Sequence, residues 1–277
     1  MSLRSLSLVA LLSLATPALA GERLLVAGTD GFVYQTNPNA AASTFDYFAC
    51  ACTGPVNALA ADNRNLYVAD ELGQLLVADV RTGLPKSLVS LGMFDITSLA
   101  ATPNGLFVGT SSGVVARVDP ETGVTLDQRT APAAVRALAT LDGKLFAATF
   151  DPNALGAIYS APLDSGEFTY FSCFCYFDLQ ELVVDGDDLL AADGSGLIVR
   201  VDGTTGAVLD AQWTAPLNAM AVNQSYYLVH VGGGVIGRFD ALGTPLGTLL
   251  SPFDVRALIV VKDPPRPTVA PKAAQRP

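Results

Sequence analysis

The chain has 277 residues, of which 50% are hydrophobic and 15% are charged. A composition this apolar excludes a disordered chain. Sixteen basic against 26 acidic residues give a formal net charge of −10, so the chain lacks the basic surface with which a nucleic-acid site neutralises phosphates. With a single His in the whole chain, the imidazole-based sites of most metallohydrolases and hydrolytic triads are excluded as well.

The first 20 residues have the pattern of an export signal. Arg4 provides a positive charge, an apolar run follows over Leu8–Ala15, and the small-x-small sequence Ala18-Leu19-Ala20 precedes Gly21. We therefore expect cleavage before Gly21 and a periplasmic or extracellular product. No other apolar run reaches the roughly 20 residues of a spanning helix, so we expect no integral membrane segment after cleavage.

The sequence after the signal repeats at intervals near 40 residues. Glycines that each precede an apolar run recur at intervals of 38 to 43 residues, at Gly31, Gly73, Gly113, Gly156, Gly196 and Gly234. A second series, which begins with Val56-Asn57-Ala58-Leu59, also recurs six times. Two series with one period indicate a repeat architecture.

Each repeat predicts four short strands and no helix, because its β-branched and aromatic runs are bounded by Gly, Asp, Asn and Pro. Such a unit is typical of a β-propeller blade. We therefore predict an all-β fold, a six-bladed β-propeller over residues 21–261. In it the C-terminal strand, Val255 to Val261, joins the N-terminal blade and leaves no orphan edge.

The outer turn of three repeats has one sequence pattern. It reads Asp79–Gly83, Asp119–Gly123 and Asp202–Gly206, and in each we expect the Asp to cap the turn and the Gly to take a positive φ.

Two further features of composition concern the C-terminal residues and the charge of the predicted propeller. Residues 262–277 are rich in Pro and predict a disordered tail. Between residues 21 and 261 there are 11 basic and 25 acidic residues, a net charge of −14. Such a ring repels polyanions and attracts cations.

The two segments Gly113–Gly123 and Gly196–Gly206 resemble the repeat of the PQQ-like and WD40 (YVTN)-like β-propellers. The resemblance covers almost the whole chain after the signal and concerns the repeat architecture. The quinoprotein enzymes with this repeat usually have eight blades and a docking Trp in each repeat. This sequence predicts six blades and contains one Trp, Trp213.

One sequence occurs twice, as Phe45–Cys52 and Phe168–Cys175, and reads Phe-x-Tyr-Phe-small-Cys-x-Cys. The copies fall three blades apart, so we expect them on opposite sides of the ring. Residues i and i+2 of an extended strand lie about 6.5 to 7 Å apart, at or past the usual disulfide limit, so a bond within Cys-x-Cys requires a bent loop. An oxidising compartment favours disulfides; the alternatives are copper or zinc ligation and a redox-active dithiol. The residues concerned are Cys50, Cys52, Cys173 and Cys175.

Carboxylates precede the predicted innermost strand in alternate repeats, at Asp95, Asp178 and Asp254. Around a channel mouth, three such ligands with water suit Ca²⁺ or Mg²⁺; otherwise each Asp caps its own turn. The next positions predict channel-lining side chains, with the two Arg binding an anion or pairing with the Asp residues. They are Asn57, Thr97, Arg136, Gln180, Asn218 and Arg256.

The one His, His230, occupies a position that is Ala or Gly in the other five repeats. We expect a hydrogen-bonded packing role, because no Ser or Cys partner can be placed near it.

Three functions fit these patterns. We favour an exported, noncatalytic propeller that binds a protein, a glycan or a cell-envelope component and needs no cofactor, because no complete catalytic set is visible. The second is an enzyme, either a metal-dependent hydrolase or lactonase that uses the carboxylates of the channel, or a quinoprotein. The third is a copper or redox module built on the two Cys-x-Cys sequences.

Overall fold

The computed structural model describes residues 21–39, 44–51, 53–151, 155–173, 178–223 and 226–262. They form 24 strands in six four-stranded antiparallel sheets. The chain is a six-bladed β-propeller, as predicted. Within the described ranges it has no helix with the length and apolarity that crossing a membrane requires.

The blades follow one another along the chain, and blades 2 to 6 each begin at their innermost strand. Blade 1 contains β1 Glu22–Gly28, β2 Phe32–Thr36 and β3 Asp46–Cys50, and blade 2 contains β4 Val56–Ala61, β5 Asn65–Asp70, β6 Gln74–Asp79 and β7 Pro85–Ser90. Blade 3 contains β8 Ile96–Thr102, β9 Gly105–Thr110, β10 Val114–Val118 and β11 Thr125–Thr130, and blade 4 contains β12 Ala134–Leu141, β13 Lys144–Asp151, β14 Leu155–Pro162 and β15 Thr169–Cys173. Blade 5 contains β16 Leu179–Asp185, β17 Asp188–Asp193, β18 Leu197–Asp202 and β19 Val208–Trp213, and blade 6 contains β20 Ala219–Val222, β21 Tyr226–His230, β22 Val235–Asp240 and β23 Pro245–Leu250.

The final strand, β24 Val255–Lys262, is the innermost strand of blade 1. It pairs with β1 along its length, from Glu22 opposite Lys262 to Gly28 opposite Val255. The predicted closure of the ring by the C-terminal strand is therefore confirmed.

The core lies between the blades. Each of the six hydrophobic clusters combines residues of two adjacent blades, such as Val68 of blade 2 with Val33 of blade 1. Inner strands such as β5 are buried on both faces, whereas the outer strand β7 is mostly exposed. Because both faces of each blade are covered, the strands carry few charges, and this explains the low charged fraction of the chain.

The predicted turn chemistry is confirmed. Oδ1 of Asp79 accepts hydrogen bonds from the N–H groups of Arg81 and Thr82, and φ of Gly83 is 71°. These bonds, that of Arg81 first, hold the pKa of Asp79 below its ordinary value. Backbone N–H groups act in the same way on three further turn carboxylates, Asp119, Asp202 and Asp240.

The repeated glycine has its turn role in five blades, where φ is positive at Gly31, Gly73, Gly113, Gly196 and Gly234. Blade 4 differs, because Gly156 lies within β14 and pairs with Phe150 of β13. The strands of this hairpin are longer than those of the others, so the glycine lies in a strand and not in the turn.

Two arginines form hydrogen bonds between neighbouring blades. Arg129 of blade 3 is buried and donates hydrogen bonds to the carbonyl oxygens of Pro162 and Leu163 in blade 4. Arg23 of blade 1 donates to the carbonyl oxygen of Val80 in blade 2 at 3.0 Å.

Candidate functional site

Each innermost strand begins at one face of the ring, which we call the upper face. The upper face is made of the loops before the innermost strands and the turns between the second and third strands of each blade. These include residues 70–73, 91–95, 110–113, 193–196, 214–218 and 251–254. The opposite lower face carries the turns before the outer strands, residues 79–84, 119–124, 202–207 and 240–244.

A cavity of about 540 Å³ opens at the centre of the upper face. All six residues that the sequence placed along the channel line it: Asn57, Thr97, Arg136, Gln180, Asn218 and Arg256. Glu181 and Asp254 complete its charged wall. The mouth of the channel is therefore polar, with groups of both charges.

Three of these polar side chains form hydrogen bonds or an ion pair with the adjacent blade. Nδ2 of Asn57 donates to the carbonyl oxygen of Ile96 at 3.2 Å, and Oγ1 of Thr97 donates to that of Val135 at 2.8 Å. Nε of Arg136 lies 3.3 Å from Oδ1 of Asp178 on blade 5. These side chains therefore have a structural role in addition to lining the cavity.

The three predicted carboxylates lie in three different surroundings. Asp178 pairs with Arg136, Asp254 lies beside His230, and Asp95 has a φ of 60°. Their carbonyl oxygens do share a role, since each accepts a hydrogen bond from a backbone N–H of its own blade, at Ser111, Gly194 or Thr29. Among the described residues, no group of three or more His, Cys, Asp or Glu side chains could hold a metal ion.

His230 is fully buried between blades 6 and 1. Its Nε2 lies 3.7 Å from Oδ1 of Asp254, and neither ring nitrogen has a hydrogen-bond partner among the described residues. Burial lowers the pKa of His230, and the carboxylate of Asp254 opposes that effect. The packing role agrees with this burial, whereas the expected hydrogen bonds are not found in the described part of the chain.

Glu181 is the residue of the cavity that the sequence analysis missed. It lies in β16 between Gln180 and Leu182, at a position that is Ala or Ser in the other five innermost strands: Ala58, Ser98, Ala137, Ala219 and Ala257. The strand bulges here, with Leu179 opposite Asp193 but Glu181 opposite Ala192, and the Glu181 side chain reaches the channel. Burial raises its pKa to about 8, and hydrogen bonds from the backbone N–H groups of Leu182 and Met220 only partly offset this.

The duplicated aromatic sequences form matching structures on the outer strands β3 and β15. In each, an exposed Tyr meets a second aromatic ring edge-on and the next Phe lies under a cation. The pairs are Phe32–Tyr47 and Tyr159–Tyr170, with ring centroids 6.0 and 6.1 Å apart, and Arg23–Phe48 and Lys144–Phe171, with the charged group 5.3 and 5.9 Å from the ring. The two strands belong to blades 1 and 4, on opposite sides of the ring, as expected.

Among the described residues no cysteine is free, and the two that fall there are Cys50 and Cys173. They cannot bond to each other, because β3 and β15 are outer strands of opposite blades. The other two cysteines, Cys52 and Cys175, lie outside the described residues, so the pairing within each Cys-x-Cys stays a prediction.

Comparison with known proteins adds information about the fold. No family model matches the chain. A protein of Rickettsia conorii that is described as uncharacterized is 37% identical over 87 residues, or 31% of this chain and 19% of that protein. The match therefore spans about a fifth of the length of that relative.

Solved structures show the same architecture at low sequence identity. A chain in the crystal structure of a nidogen/laminin complex superposes with a TM-score of 0.74 at 14% identity, covering 87% of this chain and 98% of that one. The WD40 β-propeller domain of Doa1 superposes with a TM-score of 0.62 at 14% identity, covering 87% and 86% of the two chains. These likenesses show that the chain has the β-propeller fold.

Proposed function

We propose that this protein is an exported, noncatalytic binding module that engages a protein or cell-envelope component through its upper face. The observation that carries the proposal is the polar cavity of about 540 Å³ at the centre of that face. Concave sites with a few convergent polar groups are where proteins bind ligands. A β-propeller fold is consistent with binding or scaffold roles, but the fold alone does not determine function.

Exposed aromatic side chains on the upper face support a macromolecular partner. Phe94, in the loop before β8, is 70% exposed, and Trp213, at the upper end of β19, is 61% exposed. Aromatic and Arg side chains are enriched among the residues that contribute most to binding at interfaces. The solved propeller of the nidogen/laminin complex occurs in an assembly with another protein, which agrees with a protein partner.

Export is supported by two features. The first 20 residues have the pattern of a cleavable signal. Cys50 and Cys173, neither of which is free, fit an oxidising compartment such as the periplasm or the cell exterior. We propose that each forms a disulfide bond within its own Cys-x-Cys sequence, with Cys52 and Cys175 as the partners.

Site-specific photocrosslinking in the producing cell tests the partner and the face together. A photoreactive residue would replace Phe94 or Trp213 on the upper face, and Leu84 or Leu242 on the lower face as matched controls. The controls are exposed to a similar degree, at 65% and 82%. We expect a discrete crosslinked species from the upper positions only. Equal crosslinking from both faces, or none from the upper face at physiological expression, would contradict the proposal.

A further inference from the structure

Glu181 stands at the junction of two cavities along the central channel. It lines both the upper cavity and a deeper cavity of about 330 Å³. Eight alanines line the deeper cavity, among them Ala58, Ala60, Ala100, Ala137, Ala139 and Ala257, and we call them the alanine wall. Leu, Val and Ile side chains line it as well, together with the polar residues Asn57, Thr97, Ser98, Arg136 and Thr140. A ligand that enters from the upper face therefore meets a carboxyl group first and the alanine wall behind it.

The Glu181 carboxyl has no cationic partner among the described residues. Of the two Arg side chains of the cavity, Arg136 is paired with Asp178, and Arg256 forms no ion pair with a described residue. No positive charge acts on the pKa of Glu181, which is raised by burial and lowered only by two backbone N–H groups. A desolvated acid without a counter-ion is a group that a ligand can stabilise by supplying positive charge.

The other charged and titratable groups near the channel do not supply a counter-ion to Glu181. They are Arg136 of β12 with Asp178, Arg256 of β24 with Asp254 just before it, and His230 of β21. Asn57 of β4, Thr97 of β8 and Asn218 just before β20 contribute only uncharged side chains to the cavity. Over residues 21–261 the net charge of −14 attracts cations from solution.

We propose that the channel binds the ammonium group of a linear alkylamine, with Glu181 as its counter-ion and the alanine wall as the surface for its methylene chain. This proposal rests on the proposed function only in that the ligand enters through the upper face. A single carboxylate matches the compact point charge of an ammonium ion. The alanines provide apolar surface against which methylene groups are removed from water. No group of three or more potential metal ligands occurs in the described residues, so we assign an organic cation to the site.

Binding of an ammonium ligand is coupled to the loss of a proton from Glu181. Free Glu181 is mostly protonated at neutral pH, because its pKa is about 8. An ammonium ligand binds the ionised form, so one proton is released on binding below pH 8. The affinity then rises up to tenfold for each pH unit toward 8 and levels off above it. A carboxylate ligand would show the opposite trend, since it would bind the protonated acid.

Isothermal titration calorimetry of the purified, signal-cleaved protein with pentylamine tests this, at pH 6, 7 and 8 and in two buffers of different ionisation enthalpy. We expect saturable one-to-one binding that tightens about tenfold from pH 6 to 7 and about fivefold from pH 7 to 8, with release of about one proton at pH 7. Glu181→Gln and Glu181→Ala should abolish it; the second variant restores the small residue of the other blades. Glu71→Gln, the same change at an exposed position of the upper face, should retain it.

Three outcomes would overturn the proposal: no saturable binding of pentylamine at pH 8, unchanged binding by Glu181→Gln, or tighter binding at lower pH. Circular dichroism establishes that each variant is folded, and pentanol in place of pentylamine shows whether the charge is required. The assay contains no macromolecular partner. Its failure is therefore distinct from a failure of photocrosslinking, and either result stands without the other.

Discussion

Glu181 and His230, in neighbouring blades, are the two large residues in a pairing of strands that joins two small residues in the other four blades. In each blade one residue of the innermost strand faces one of the second strand, and in four blades both are small: Ala58 with Ala69, Ser98 with Gly109, Ala137 with Ala148, and Ala257 with Ala27. In blade 5 the pair is Glu181 with Ala192, and in blade 6 it is Ala219 with His230. Glu181 is half-buried and lines the channel, whereas His230 is fully buried, and desolvation shifts the pKa values of both groups.

Glu181 should make the protein less stable as the pH rises. Its pKa is about 8 in the folded state and 4.5 ordinarily, so the unfolded chain loses this proton first. The free energy of unfolding should fall between about pH 4.5 and pH 8 and then level off. We expect a loss of roughly 2 to 3 kcal/mol, less than the full shift implies, because the side chain still contacts the channel. Urea unfolding at pH 5, 7 and 9 should show this loss in the native protein and not in Glu181→Gln. The same loss in Glu181→Gln would assign it to another group.

His230 should titrate below its ordinary pKa. It is the only His in the chain, so its ring signals in a proton NMR titration need no assignment. Burial lowers its pKa below 6.5, so the unfolded state takes up this proton more readily. Stability should therefore decrease as the pH falls through 6.5. A measured pKa above 6.5 would mean that the attraction to Asp254 outweighs burial, contrary to this expectation.

Arg129 should be a major contributor to the interface between blades 3 and 4. It is buried, donates to the carbonyl oxygens of Pro162 and Leu163, and lies 5.7 Å from the ring of Phe107. Arg129→Met leaves those carbonyl groups without their donor, at a cost of roughly 2 to 4 kcal/mol. Chemical denaturation measures the loss. Arg64→Met, at an exposed turn, should change stability by less than about 0.5 kcal/mol; equal effects would refute the role of Arg129.

Two glycines with similar φ should respond very differently to alanine. A Cβ on Gly83, where φ is 71°, would lie 1.9 Å from the carbonyl oxygen of Phe48 in the next blade. A Cβ on Gly186, where φ is 66°, would meet no atom within 4 Å. Gly186→Ala should therefore cost only the backbone strain of about 1 to 2 kcal/mol, whereas Gly83→Ala must also separate two blades. Thermal unfolding of the two variants measures the difference, and similar melting temperatures would contradict it.

The cysteines should be fully oxidised in the exported protein. Denatured protein treated with iodoacetamide should keep its mass in the absence of reductant, and should gain four carbamidomethyl groups after reduction. Peptide mapping under nonreducing conditions then identifies the bonds within each Cys-x-Cys. Alkylation of the unreduced protein after treatment with a chelator would instead indicate metal-bound thiolates.

The fold could be predicted from the repeat, because the runs related to Val56-Asn57-Ala58-Leu59 mark the innermost strand in all six blades and the repeated glycine marks a turn in five. The bulge that follows positions such as Val56 and Leu179 is not visible in that pattern. It brings two successive residues of the innermost strand toward the channel, so Gln180 was predicted and Glu181 was not. The sequence did contain a signal, since Glu181 is the one large residue at a position that is Ala or Ser in the other five blades. Contacts between blades, such as Arg136 with Asp178, depend on side-chain geometry that no sequence period encodes.

The pairing of β24 with β1 has a consequence for biosynthesis. Until residues 255–262 have been made, β1 has no inner neighbour, and the core cluster between blades 6 and 1 lacks Val255 and Leu258. The nascent chain can assemble hairpins and blades in order, but it cannot close the ring, and the unpaired inner edge of β1 remains able to pair with other chains. A stop codon just before Val255 would remove one of the 24 strands of the described residues, yet it would convert a closed ring into an open one that tends to aggregate.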